Sequence, residues 1–368
     1  MRAELQPALL DRALKGPALL IAGPPGAGKT TLLIELAERL RREGHAPIYL
    51  DLFGAVASPQ GFVNNALRAL PAESFGARLP QAAEIRRLAD TGLAHGADAV
   101  KALFRLLVLL DESQGRRVVL LLDEATEIKS LGYFAGLREV HTLFGQAVAA
   151  RRRGILLATS FPTAARRMWA IETLHLPPLS AESLQSAAGD AAQAVVRASF
   201  GWPRYVRVLL DAAPRSASQV AAIWADEMAA GGRLELMARA THETLLLRSR
   251  GYGICKAALQ AVAMDEGLTL TQLVPRLGRS PGATRDYLQW LVGVDALRMI
   301  KKRYAYVDGI VRHWVRLHGR GTPPARSEIE ATARALVSPD AAGAPEAAAP
   351  IAEPPSVAAR RDSLIEID

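Results

Sequence analysis

Eight consecutive residues, Gly23, Pro24, Pro25, Gly26, Ala27, Gly28, Lys29 and Thr30, have the types and spacing of a phosphate-gripping loop. Glycines let successive main-chain N–H groups turn inward around an anion without Cβ clashes. The helix that follows aims its positive end at the same anion. Lys29 is placed to reach the β- and γ-phosphates of a nucleotide and Thr30 to ligate Mg²⁺, with Thr31 next in line. A second run, Val118–Asp123 followed by Glu124, is an apolar strand ending in two carboxylates. Asp123 suits the hydrated Mg²⁺, and Glu124 suits the orientation and deprotonation of an attacking water, which is hydrolysis and not transfer to a metabolite. A third strand end carries Thr159 and Ser160; a hydroxyl there, with Thr159 taken as the candidate, would contact the γ-phosphate or the water. Arg166 and Arg167 follow on a short helix, from which an arginine can project toward the nucleotide of a neighbouring subunit. The expected ligands are therefore ATP and Mg²⁺.

These residues need a scaffold that brings strand ends together. Residues 1–180 alternate apolar runs with helical patterns, the mark of a parallel sheet covered on both faces. Strands are expected at 17–22, 46–52, 117–123, 154–160 and 172–176, with a helix over 30–43 and mostly helix over 58–112. From 181 to 248 there is no strand pattern, and a helical lid is expected. Residues 249–320 change again: helices at 252–264, 269–277 and 281–291, the last capped by Ser280 with Pro281 at its first position, then a hairpin around Lys301 and Lys302. That order fits a winged helix-turn-helix. Beyond Gly321 the composition turns to Ala, Pro and Glu, and 321–368 reads as a disordered tail, with 362–368 as a candidate docking peptide.

The formal net charge is +8. Residues 321–368 carry four Arg against eight acids, so the positive excess lies on the body of the chain and suggests an anionic partner. The single cysteine, Cys255, excludes an internal disulfide and a thiolate zinc cluster. No apolar run approaches the ~20 residues of a membrane helix, and the N-terminus lacks a signal-peptide profile, so a cytoplasmic protein without a membrane partner is expected. The run Arg151–Arg153 reads as a solvated charge cluster.

Taken together, the loop, "VVLLLDE", the strand-end hydroxyls, a helical segment containing Gly201-Trp202-Pro203-Arg204 and the winged order resemble the AAA+ superfamily of P-loop ATPases. More narrowly they resemble the archaeal-type ATPases that neighbour the STAND signalling NTPases and the replication-initiator ATPases. Leu174-His175-Leu176-Pro177-Pro178-Leu179 stands where those families lead into the lid, and Tyr304-Ala305-Tyr306-Val307-Asp308, then Trp314, where they end the winged domain. The resemblance implies an α/β P-loop fold with sheet order 5-1-4-3-2, a helical lid and a winged helix, and makes Arg204 a lid arginine directed at the γ-phosphate. It leaves no single residue as the arginine finger supplied in trans.

Residues 251–320 hold eleven Lys and Arg against five acids. On a double-stranded DNA reading, Arg279, Arg285 and Gln289 face the major groove and Lys301, Lys302 and Arg303 meet phosphates from the wing. The alternative is a protein-docking or lid-regulating module, and a homo-oligomer stays open. Two functions follow: an ATPase coupling hydrolysis to lid and winged-helix movement on DNA or a protein partner, or a slow nucleotide switch in a transcriptional or defence regulator.

Overall fold

A computed structural model describes residues 2–69, 79–91, 93–110, 112–113, 116–151 and 153–338. The expected tail beyond 338, its peptide at 362–368, and Arg152 lie outside these residues.

Five parallel strands build the N-terminal sheet: β1 (Leu19–Ala22), β2 (Ala46–Asp51), β3 (Arg116–Asp123), β4 (Ile155–Thr159) and β5 (Glu172–His175). Their order is β2-β3-β4-β1-β5, as the resemblance implied. A two-residue antiparallel strand, Glu112–Ser113, pairs with the start of β3. Because strand side chains alternate, the sheet feeds two cores. Leu19, Ile21, Val119, Leu121, Leu156 and Ala158 face one way, and Leu20, Ile48, Leu50, Leu120, Leu122 and Leu157 the other. The second core is covered by α3 (Pro59–Ala69), α4 (Leu79–Asp90), α5 (Leu93–Leu109) and α6 (Val140–Ala150).

The first core is larger. It runs from α1 (Gln6–Lys15) and α2 (Lys29–Arg42) through the helices that follow the sheet. After the short α7 (Pro162–Met168) come α8 (Ala181–Ala188), α9 (Ala192–Ser199), α10 (Pro203–Leu210), α11 (Ala217–Met228) and α12 (Arg233–Arg248). Then follow α13 (Tyr252–Met264), α14 (Leu270–Leu277) and α15 (Pro281–Gly293). A small antiparallel sheet of β6 (Leu268–Thr269), β8 (Arg303–Tyr306) and β7 (Leu297–Ile300) completes this unit, in that order, followed by α16 (Gly309–His318). The β7–β8 turn forces Lys301 and Lys302 to φ of 48° and 65°, the left-handed pair that a tight two-residue hairpin requires.

Two expectations are corrected. Part of the expected disordered tail is the helix α17 (Arg326–Val337), packed on α11 and α9. Its Ile329, Ala333 and Val337 recur every four residues and are buried, an apolar stripe that the Ala- and Glu-rich composition concealed. Arg151, read as part of a solvated charge run, is only 4% exposed. Its guanidinium donates to the Leu107 and Val118 carbonyls at 2.6 and 2.5 Å and so closes the ends of α5 and β3 against each other.

The joint between lid and C-terminal helices buries two imidazoles. His242 packs on Trp314 and His313 lies against Phe200 and Trp224. Burial pushes His242 down to about 4, and burial reinforced by Arg312 and Arg316 pushes His313 down to about 3. The unfolded chain protonates both near 6.5 while the folded chain keeps them neutral, so their contribution to stability is present above pH 6.5 and is lost as pH falls toward their folded values. Buried Asp295, raised to about 6, works in the opposite sense, losing stability as pH rises through 6. Two groups outweigh one: the urea midpoint should fall between pH 7 and 5, and His242→Gln with His313→Gln should flatten that slope.

Candidate functional site

The parallel register places the C-terminal ends of the strands on one edge. Ala22 pairs with Thr159 on one side and His175 on the other, while Asp51 pairs with Asp123. Gly23, Glu124 and Ser160, each one residue beyond these strand ends, therefore meet at the same edge, where ligands of open α/β sheets are held. The loop from Gly23 turns through Gly26 and Gly28, at φ of 81° and 90°, into α2. That conformation suits glycine, and α2 starts at Lys29.

Lys29 is 4% exposed. Its ammonium group donates to the carbonyls of Gly23 and Pro24 at 2.9 and 3.1 Å and to Ser160 Oγ at 2.8 Å, with Glu124 Oε1 at 3.9 Å. Burial pushes its pKa down, Glu124 and Asp123 push it back up, and the charge of Arg204 adds to the lowering. Glu124 is held at φ 47°, a strained left-handed conformation for a non-glycine residue. Ser160 grips its carboxylate twice, through N–H at 2.9 Å and through Oγ.

Beside this trio lies the metal-type pair. Thr30 Oγ1 donates to Asp123 Oδ2 at 2.6 Å, and the Tyr49 hydroxyl reaches the same oxygen at 3.0 Å. Asp123 Oδ1 accepts from the Glu124 N–H at 3.0 Å. Burial, then the Asp123 charge, raises the Tyr49 phenol well above its ordinary range, so it stays a donor. A hydroxyl and a carboxylate meeting at the head of α2 are hard oxygen donors that fit Mg²⁺, which completes its shell with waters and phosphate oxygens. Among the described residues no cluster of three or more His, Cys, Asp or Glu offers an all-protein cage.

The strand-end hydroxyl nearest the site is Ser160. Thr159 is fully buried, 3.0 Å from Thr126 Oγ1, and accepts from the Phe161 N–H at 3.0 Å. Its side chain anchors the turn after β4 and does not join Lys29 and Glu124.

Arg204 heads α10 directly over the loop. Its N–H donates to the Gly26 carbonyl at 3.2 Å, and a Cβ built on Gly26 would stand 2.0 Å from Arg204 Cδ. The two stretches that carried the resemblance also touch, since the Leu179 N–H donates to the Gly201 carbonyl at 2.8 Å. Arg166 and Arg167 lie on α7, which abuts α15 of the same chain. A Cβ on Gly293 would meet Arg167 Nη1 at 3.3 Å, and Thr163 donates twice to Asp295, at 3.1 and 2.6 Å. Arg279, Arg285, Gln289, Lys301, Lys302 and Arg303 are all exposed on α15 and the β7–β8 hairpin or just before them.

Two residues escaped the sequence reading. Tyr49 sits mid-strand and is recognisable only once β2 is paired with β3. Arg2 is 4% exposed and donates to the carbonyls of Ala27, in the loop, and Pro177, at the lid entry, at 3.3 and 2.5 Å. No local pattern marks it.

Residues 2–143 match the family model described as AAA ATPase domain. No curated protein matches the chain. Among solved structures it is similar to the Walker-type ATPase PABY2304 of Pyrococcus abyssi, at 15% identity and a TM-score of 0.60, covering 86% of this chain and 95% of that one. Cdc6p of Pyrobaculum aerophilum follows at 15% identity and a TM-score of 0.38, with 91% and 94% covered. A variant of RuvB from Thermotoga maritima gives 16% and 0.36, with 84% and 91% covered.

The contrast between the two neighbouring hydroxyls yields a test. Ser160→Ala leaves one buried Lys29 donor unmet and Glu124 with one partner fewer; it should lower nucleotide turnover on the order of ten-fold or more as well as costing about 1–3 kcal/mol of stability. Thr159→Val strands the Thr126 hydroxyl and the Phe161 N–H. It should cost about 1–3 kcal/mol of stability in urea titration while leaving turnover nearly intact.

Proposed function

We infer, from the premise that the chain carries an AAA+ P-loop ATPase domain, that it binds and hydrolyses Mg-ATP and couples the cycle to movement of the lid and a winged helix-turn-helix unit at 249–320. The observation that carries this is the hydrogen-bonded trio Lys29, Ser160 and Glu124 beside the Thr30–Asp123 pair.

The loop from Gly23 to Gly28, with Lys29, Thr30 and Thr31 at the head of α2, cradles the polyphosphate. Lys29 turns its donors from the Gly23 and Pro24 carbonyls to the β- and γ-phosphates. Thr30 and Asp123 would hold Mg²⁺, which would neutralise phosphate charge when bound. Glu124, released from Ser160 Oγ, takes the proton of the attacking water. The bond between the γ-phosphorus and the bridging oxygen breaks, leaving ADP and phosphate. Arg204 supplies positive charge from the lid, and Arg166 or Arg167 would do so only for a neighbouring subunit, in a homo-oligomer.

For the partner, double-stranded DNA is the reading supported by the basic excess of 251–320 and the exposure of Arg279, Arg285, Gln289, Lys301, Lys302 and Arg303. A protein partner is the alternative. A second reading of the cycle, the slow nucleotide switch, is favoured by one observation: the guanidinium of Arg204 is engaged by Asp308 and not directed at the loop.

ATP turnover with and without duplex DNA over a salt series tests the proposal. Stimulation that fades steeply with salt is expected from phosphate contacts, whereas flat turnover removes DNA as the partner. Glu124→Gln should cut turnover about 100-fold or more with ATP binding retained. In a motor that variant loses function, and in a switch it locks the signalling state. Failure of Lys29→Ala to weaken ATP binding would sink the whole reading.

A further inference from the structure

Arg204 belongs to two places at once. Its stem lies on Gly26 and its N–H holds the Gly26 carbonyl, so the residue is fixed against the phosphate loop. Its guanidinium, however, points away, to Asp308 Oδ2 at 2.8 Å, Thr241 Oγ1 at 3.1 Å and the Tyr205 hydroxyl. Its Nε is buried without a hydrogen-bond partner, a donor left unmet by this arrangement. Asp308 is 5% exposed and does two jobs with two oxygens. Oδ1 caps α16 by accepting from the Ile310 and Val311 N–H groups at 2.9 and 3.2 Å, and Oδ2 takes Arg204 and the Tyr205 hydroxyl, the latter at 2.7 Å.

We propose that Asp308 holds down the preference of the site for nucleoside triphosphate over diphosphate, by competing with the terminal phosphate for Arg204. The proposal rests on the reading of Arg204 as a contact of the γ-phosphate. The two acceptors are anions that compete for one guanidinium. Turning Arg204 toward the loop leaves the buried Asp308 Oδ2 with Tyr205 alone, and an uncompensated buried carboxylate is costly. A γ-phosphate adds charge where Arg204 is needed and offsets that cost; a diphosphate has no group at that position and leaves the latch closed. Because Asp308 also caps α16 directly after the β7–β8 hairpin, release of Arg204 loosens the same junction that carries the basic wing. The charge of Arg204 also adds to the lowering of the Lys29 pKa.

The test is titration of MgATPγS and MgADP into the full chain, its Asp308→Asn and Arg204→Ala variants, and the double variant. Asparagine keeps an oxygen for the α16 cap and removes the charge. Asp308→Asn should tighten MgATPγS about ten-fold, equivalent to ~1.4 kcal/mol, and MgADP less than about two-fold; the gain should vanish when Arg204 is also replaced. Unchanged MgATPγS affinity, an equal gain for MgADP, or a gain that survives in the double variant overturns the proposal. If Arg204→Ala weakens MgATPγS selectively while Asp308→Asn changes nothing, only the competition is lost. If Arg204→Ala weakens neither nucleotide, the γ-phosphate reading of Arg204 falls with it. In the unaltered protein, hydrogen exchange at the amides of α16 should quicken with MgATPγS and not with MgADP, a comparison that needs no variant to fold. Equal exchange with both nucleotides would also overturn it.

Discussion

A lysine ammonium that is almost fully buried must satisfy its three donors, or the fold cannot keep it charged. Lys29 does so with two carbonyls of its own loop and one hydroxyl from the next strand, and among the described residues no carboxylate lies closer than 3.9 Å. Everything around the site follows from that arrangement. The Ser160 hydroxyl is in reach only because β1 pairs with β4 in parallel and the Gly23 N–H continues the ladder to the Thr159 carbonyl at 3.3 Å. Glu124 is in reach only because β3 lies on the other side of β4. Carbonyl dipoles partly replace lost hydration but carry no full counter-charge, so a polyphosphate is the ligand that completes the set.

The strands and the paired motifs were legible in the sequence, because each depends on local pattern: an apolar run, a glycine spacing, an acid at a strand end; the strand order came only with the family resemblance. The three helices and the hairpin at 252–306 were legible for the same reason. The choice between Thr159 and Ser160 was not. β4 is buried on both faces, so hydropathy does not alternate along it and cannot say which hydroxyl points at the loop. Arg2 and Tyr49 act across 25 and 74 residues of sequence, distances at which no spacing rule applies. The helix α17 was hidden by composition, since a stripe of Ile329, Ala333 and Val337 is thin when the residues between are Ala, Arg and Glu.

The larger core makes the lid a partner of the sheet, not an appendage. Trp202, Tyr205 and Val206 of the lid share one apolar cluster with Leu32 and Leu36 of α2 and with Trp314 of α16. Such a cluster resists shear, because close-packed side chains have few alternative arrangements. Movement within it must therefore be concentrated where polar ties substitute for packing. Three side-chain ties stand out: Arg248 to Glu127 at 2.5 Å and Thr163 to Asp295, which join the sheet side to the later helices, and Arg204, whose N–H is on the loop, to Asp308.

These three ties differ in what breaks them. Arg248 also lies over the Phe161 ring at 4.2 Å, so it is held by packing as well as charge. The Thr163–Asp295 tie involves a carboxyl raised to about 6, which is ionised near neutral pH. Arg204 alone among them has its backbone on the phosphate loop and its charge on the C-terminal unit. On the proposed exchange of Arg204, a ligand arriving at Lys29 acts first on that tie, and the other two are the fixed points about which the proposed movement of 249–320 is measured.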